Sequence, residues 1–246
     1  MNCKNCDQLV EGNFCSNCGQ NSKVGRFNFL TFIKEVSGSI FQLNRGILFT
    51  AKELFIRPGK TIREYLGGKR KRHFKPLAYT FTLSTILYFL SKYLGGETQI
   101  SDFIEGFNGD ENEFKNFPEF LSQLDWLAKN YSYTILMLLP LNSLASYIAF
   151  KGFGYNYLEH LVLNAYITGQ QAIIYLIVSL LKLGDLNSEI MATLSFLSSI
   201  TYTFIVFWQF FSTGKKFSRI LRFILTYFLD FILLLIGIIL LFQLGH

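Results

Sequence analysis

Beyond residue 76 the chain is written in long apolar runs separated by short polar breaks. Five runs stand out, at about 77–94, 132–150, 161–183, 190–211 and 222–243. Each is close to the ~20 residues that an α-helix needs to cross the hydrocarbon core of a bilayer. The pattern predicts an all-α polytopic membrane domain over 77–246, with about five transmembrane helices. Pro76 suits the first turn of the first helix, and Pro140 predicts a kink in the second.

Upstream the periodicity is different. Over 28–43, Phe29, Ile33, Val36, Ile40 and Leu43 recur at helical spacing, while Lys34, Glu35, Ser39 and Gln42 lie off that stripe. A second such segment runs from Ile47 to Ile56 and stops at Pro58-Gly59. Crossing a membrane with Lys34, Glu35, Arg45, Lys52 and Glu53 would be costly, so both segments are expected at the interface as amphipathic helices. A third amphipathic stretch, 113–127, places Phe120, Leu124 and Leu127 on one side.

Composition agrees with a membrane chain. Half the residues are hydrophobic, and 16% are charged against ~25% for soluble domains. The charge is also segregated. Residues 1–76 hold 14 Lys/Arg and 5 Asp/Glu, whereas 95–131 hold 2 and 8. Basic segments stay on the cytoplasmic side, which puts the N-terminus, 151–160 and 212–222 inside. The acidic segment 95–131, the loop 184–189 and the C-terminus then fall outside. The run Lys69, Arg70, Lys71, Arg72 and Lys75 is expected to face the anionic lipid of the cytoplasmic leaflet.

The chain has four cysteines, Cys3, Cys6, Cys15 and Cys18, spaced as CxxC, eight residues, CxxC. Two such knuckles can close tetrahedrally on one zinc ion, giving a small zinc ribbon over 1–22 with the linker and interfacial helices in 23–76. No apolar leader precedes the cysteines, so a reducing compartment is expected, where a cysteine quartet reads as a metal site. Phe14 is the expected apolar plug of the ribbon. Zn2+ is the one expected cofactor, and its role is structural.

Polar groups also occur inside the spans. His160, Asn164, Thr168 and Gln171 share one face of the third, with Glu159 beside His160 at its cytoplasmic end. Asp230 lies well inside the fifth span, where Tyr202 or Thr203 of a neighbouring helix could satisfy it. These six residues form a candidate intramembrane polar site, serving either as interhelical hydrogen bonds or as the lining of a path. No nucleotide-binding, hydrolase or metalloprotease motif is present, and no residue is assigned as catalytic.

Three segments, NFCSNCGQ (13–20), ELFIRPGKTIREYLGGKRKRHFKPLAY (53–79) and YNYLEHLVLNAYITGQ (155–170), resemble a family of uncharacterised bacterial membrane proteins, the domain-of-unknown-function family numbered 3667. The resemblance implies a zinc ribbon on a multi-span region of the bacterial inner membrane, and it implies no activity. The features together favour a membrane-anchored interaction or assembly factor. A small-solute or ion transporter using polar residues of the third and fifth spans is the alternative, and a lipid-acting enzyme is a further one. Expected partners are anionic lipid and a protein bound through the ribbon. Homo-oligomerisation is left open, and nucleic acid is not expected.

Overall fold

A computed structural model of the chain describes residues 1–37, 46–93, 118–181 and 188–244. Among them are nine helices: α1 Phe29–Ser37, α2 Gly46–Ile56, α3 Pro58–Gly67, α4 Pro76–Tyr93, α5 Pro118–Lys129, α6 Tyr131–Ala149, α7 Tyr157–Leu181, α8 Ser188–Phe210 and α9 Lys216–Leu244. The described residues contain no strand, only isolated antiparallel bridges in the ribbon, Asn2 with Leu9 and Phe14 with Asn21.

Among the described residues four helices are long and apolar enough to cross a membrane, over Tyr131–Ala149, Tyr157–Leu180, Thr193–Phe210 and Lys216–Leu240. The first expected span, now α4, is not among them. Its 18 residues include three tyrosines, five serines and threonines and Lys92, which dilute its apolar character. Pro76 does open α4, and Pro140 lies within α6.

The buried centre of the bundle is α7, which touches α2, α3, α4, α6 and α8. Beside it α4 runs parallel, with Thr80 Oγ1 donating to the Ala165 carbonyl at 2.6 Å and Leu87 packed near Ala172 and Tyr175 further along. Gly169 makes this closeness possible. A Cβ there would lie 2.5 Å from Cδ1 of Tyr79 and 3.3 Å from Cα of Thr80. Helix α6 returns antiparallel, and Thr85 of α4 donates to Ser132 at its start, 3.0 Å away. On the outside, α9 packs chiefly on α6 and leaves Phe228, Phe231, Ile236 and Leu240 exposed. Such a surface suits lipid contact and not water.

The Pro58-Gly59 break does not end the helical region. It turns α2 into α3, and the pair wedges against α7 and α8 with Leu54 and Ile62 fully buried. Protein covers Leu54, Ile62, Tyr65 and Leu66, while Leu48, Phe55 and Ile56 of α2 stay exposed. Gly59 seats the wedge: a Cβ there would collide with the backbone N of Phe210. Helix α1 is described only to Ser37, so the expected stripe positions Ile40 and Leu43 lie outside the described residues. So do most of the acidic segment, 94–117, and the loop 182–187. What is described of the third amphipathic stretch is helical. In α5, Phe120 and Leu124 are buried, packed with Ile238 and Phe242 at the far end of α9.

Three arginines close the helix ends that meet beside the ribbon. Arg63 donates to the carbonyls of Gln209 and Phe210 at the end of α8. Arg219 donates to the Trp208 carbonyl at 3.0 Å and lies 3.8 Å above its ring. Arg222 donates to Ala149 at 2.6 Å and Lys151 at 3.2 Å, capping α6. Cations at helix C-termini satisfy orphan carbonyls and oppose the helix dipole. Part of the basic charge at this end is thus spent inside the fold.

Candidate metal centre and its dock on the helical bundle

The two cysteine knuckles fold alike. In each, the first cysteine's N–H donates to a glutamine carbonyl five residues on, Cys3 to Gln8 and Cys15 to Gln20, both at 2.8 Å. In each, the residue four positions on returns a bond to the first cysteine's carbonyl, Asp7 to Cys3 and Gly19 to Cys15. Those two residues are the left-handed ones, at φ 61° and 68°. The pattern C-x-N-C-[DG]-Q, present twice, encodes this turn. The four sulfurs converge. Cys3 and Cys18 are 3.6 Å apart, Cys6 and Cys15 are 3.5 Å apart, and all four lie within 4.8 Å of one another. No disulfide joins them. Four sulfurs at ~2.3 Å from a tetrahedral zinc would be separated by about 3.8 Å, so the set fits one ion.

Electrostatics favours the same end. The backbone N–H of Cys18 bonds to the Cys15 sulfur and brings that thiol down to about 7. Burial holds Cys18 up, at about 11. Four neighbouring thiols do not ionise together without a cation to balance them.

The plug of the ribbon is not the expected one. Phe14 is 64% exposed, and Val10 is buried among the cysteines in its place. The reason is registry. Phe14 pairs with Asn21 across a bridge and points away from the sulfurs, whereas Val10 closes the first knuckle through its N–H to Met1.

The ribbon is tied to the bundle at two places. Gln20, 5% exposed, donates from Nε2 to the Gly68 carbonyl at 2.8 Å. Its Oε1 accepts the N–H groups of Arg70 and Lys71 at 3.1 and 3.2 Å. Gly68 ends α3 at φ 118°, and a Cβ there would lie 2.8 Å from Cδ of Lys4. A residue other than glycine would be strained by its backbone and would press on the ribbon.

The second tie is the linker. Arg26 donates twice to Glu159, from Nε to Oε1 at 2.8 Å and from a terminal nitrogen to Oε2 at 2.7 Å. Asn156 precedes α7 and Glu159 is its third residue. Their side chains and backbone N–H groups bond reciprocally, at 2.8 and 2.9 Å. This is a capping box. Asn156 also donates to the Phe27 carbonyl at 3.1 Å. The start of α7 and the ribbon linker therefore share one set of hydrogen bonds.

The six polar residues expected to form one intramembrane site are distributed among different neighbours. Glu159 serves the linker. His160 and Asn164 meet Ser146 of α6, the first through Nδ1 at 3.0 Å and the second through Nδ2 at 2.8 Å. His160 is fully buried between Tyr147 and Phe211. Gln171 donates to Ser199 at 2.8 Å and Thr203 at 2.9 Å, both on α8. Thr168 is half-buried and joins none of these bonds. Asp230 meets neither Tyr202 nor Thr203. With its amide nitrogen turned toward them, Asn142 of α6 donates to Asp230 Oδ1 at 3.0 Å and to the Leu138 carbonyl. Tyr202 donates instead to Leu54 at 3.2 Å.

The basic run is divided as well. Lys69, Lys71 and Arg72 are exposed. Arg70 turns inward, donating to the carbonyls of Tyr65 and Gly25 at 3.2 Å and lying over the ring of Phe27. Lys75 is half-buried at the start of α4. His73 adds no charge at neutral pH, because burial pushes it down to about 4.

Sequence reasoning missed Arg26, Gln20 and Asn142. Asn156-x-x-Glu159 ahead of an apolar run was a readable capping signal, but its arginine partner 133 residues away was not.

Neither the curated proteins nor the solved structures contain a match to this chain. Residues 44–89 match a family described as protein of unknown function, DUF3667, and this stretch forms α2, α3, the basic loop that receives Gln20, and most of α4.

Proposed function

We propose that the chain is a multi-span protein of a bacterial cytoplasmic membrane. Its N-terminal zinc ribbon sits on the cytoplasmic end of the bundle and offers an apolar face to a protein partner. It acts as a membrane-anchored interaction or assembly factor. One observation carries this reading. On a ribbon otherwise tied down by Gln20 and Arg26, three large apolar side chains are exposed: Met1 at 63%, Leu9 at 63% and Phe14 at 64%. Apolar residues held out on a fixed module suit an interface. Four thiolates leave no open position on the metal, so it would hold shape and not react.

Orientation follows from charge. The ribbon, the exposed lysines 69 and 71, and the loops after α6 and α8 gather at one end, which supports placing that end in the cytoplasm and the C-terminus outside. The parallel course of α4 beside α7 supports counting it as a fifth span, its hydroxyls turned to α6 and α7 and Ile86 and Phe89 turned out. The scatter of polar groups into separate interhelical bonds supports packing over a continuous path.

The test is site-specific photo-crosslinking from the ribbon in native membranes. Leu9→Ser with Phe14→Ser is expected to abolish the ribbon's crosslinks to its protein partner while zinc content and membrane insertion stay at wild-type levels. Crosslinks that survive this double change would overturn the reading.

A further inference from the structure

Two hydrogen bonds fix the height of α2 on the bundle. The Ala51 carbonyl accepts from Nε2 of Gln170 at 3.4 Å, and the Leu54 carbonyl accepts from the hydroxyl of Tyr202 at 3.2 Å. Gln170 lies thirteen residues beyond Tyr157, the first residue of α7, or about 20 Å along the axis. Tyr202 lies eight residues short of Phe210, the last residue of α8, or about 12 Å. Both ends belong to the ribbon side, so α2 reaches well into the bundle from that side. Helix α3 leads back out. Arg63 bonds the Phe210 carbonyl, and the Gly68 carbonyl at the end of α3 accepts from Gln20 of the ribbon. The chain thus enters and leaves on the same side, turning at Arg57 and Pro58.

We infer that α2 and α3 form a re-entrant hairpin, with the outer face of α2 seated in the acyl chains of the cytoplasmic leaflet. The inference rests on the reading that α7 and α8 cross the membrane with the ribbon end in the cytoplasm. Leu48, Phe55 and Ile56 are 79%, 47% and 65% exposed, and their spacing of seven and eight residues puts them on one face of α2. Thr50 and Leu54 are buried on the opposite side. At the height of Gln170 a spanning bundle is surrounded by hydrocarbon, which is ~30 Å thick in all. The exposed face of α2 is therefore continuous with the lipid-facing surface of the bundle, deeper than the interface expected of an amphipathic helix.

The turn of the hairpin is built for an apolar medium. The Leu54 carbonyl lies four residues before Pro58, which has no N–H to offer it. Tyr202 supplies the missing donor. A carbonyl freed by proline is costly in hydrocarbon and is met there by a neighbouring helix. Charges at the turn are also closed. Arg57 pairs with Glu53 of α2 and, at 3.2 Å, with Glu64 of α3, which ties the two arms together. Lys52 shares the exposed face, and its stem lies along apolar neighbours while its ammonium reaches toward the headgroups. Lipid of one leaflet is thus a structural partner of the element whose end holds the ribbon.

The experiment uses the full chain in proteoliposomes, with an environment-sensitive fluorescent amino acid incorporated at one position at a time. The positions are Leu48 and Ile56 on α2, Phe228 on the outer face of α9 and Phe14 on the ribbon. Two quenchers are compared, phosphatidylcholine brominated part-way along its acyl chains and aqueous iodide on both sides of the membrane. At Leu48 and Ile56 the brominated lipid is expected to quench at least about half as strongly as at Phe228, as for an apolar face buried among acyl chains. Iodide is expected to spare both positions and to quench Phe14. Phe55, on the same face, replaces either position should a substitution there not fold. Iodide quenching at Leu48 and Ile56 equal to that at Phe14 would put α2 in water and overturn the inference. Resistance to both quenchers would mean that protein, such as a second copy of the chain, covers the face, and would overturn it too. In both cases quenching of Phe228 by the brominated lipid leaves the membrane reading standing. If Phe228 is not quenched by that lipid, the membrane reading itself falls.

Discussion

Replacing Cys15 by Ser is expected to strip the protein of its metal and to loosen the bundle end 50 residues away in sequence. Purified wild-type chain, prepared without chelators, should carry about one zinc, as a site of four thiolates requires. The variant should carry none. The effect should spread because the ribbon's contacts lead outward from the second knuckle. Gln20 follows Cys18 by two residues, and its side chain holds the Arg70 and Lys71 amides and the Gly68 carbonyl. Hydrogen exchange should therefore rise over 1–22 and at Arg70 and Lys71, while amides of α7 near Tyr166 stay protected. A ribbon of about 20 residues has too little apolar surface to stay ordered without its ion. A wild-type protein without metal, or a variant with unchanged exchange at 68–71, would contradict the coupling.

Substituting Gly169 by Leu should have the largest effect on the bundle itself. The site faces the ring of Tyr79 and the backbone of Thr80, both fully buried. Neither can retreat, because Thr80 is bonded to Ala165 and the Tyr79 hydroxyl donates to Gln170. A leucine would force α4 from α7, at about 1–3 kcal/mol by the usual cost of overpacking. Gly237→Leu is the control. A side chain there meets nothing within 4 Å, and a surface change of this kind is expected within about 0.5 kcal/mol of neutral. Thermal unfolding in detergent compares the two. Equal midpoints would show that α4 and α7 do not meet at Gly169.

Apolar periodicity made the helices legible. The long runs gave α6 to α9 directly, since a helix in a bilayer must be apolar over its whole length. It failed where polar and apolar residues mix for tertiary reasons. In α4, hydroxyls face other helices and lower the hydropathy of a segment that packs along α7. Pro58-Gly59 looked like a terminator, yet proline at the first helical position and glycine against α8 make it the start of α3. The cysteine spacing made the metal set legible as well. The choice between Phe14 and Val10 was not, because hydrophobicity alone does not say which side of a bridge a residue takes. Pairs such as Arg26–Glu159 and Asn142–Asp230 join residues far apart in sequence, and nothing local marks them. Helical spacing groups His160, Asn164 and Gln171 on α7, but it could not show that Ser146 of α6 meets the first two while Ser199 and Thr203 of α8 meet the third.

Topology mapping tests the central claim most directly, namely that the ribbon and the basic loops share the cytoplasmic face of a five-span bundle. Reporters active only in the cytoplasm would be fused at the N-terminus, within 212–215 and after residue 246. Activity at the first two positions and silence at the third is the expected result. Activity at the N-terminus with silence at 212–215 would place them on opposite sides, which the contacts of Arg63 with Phe210 and of Gln20 with Arg70 do not allow.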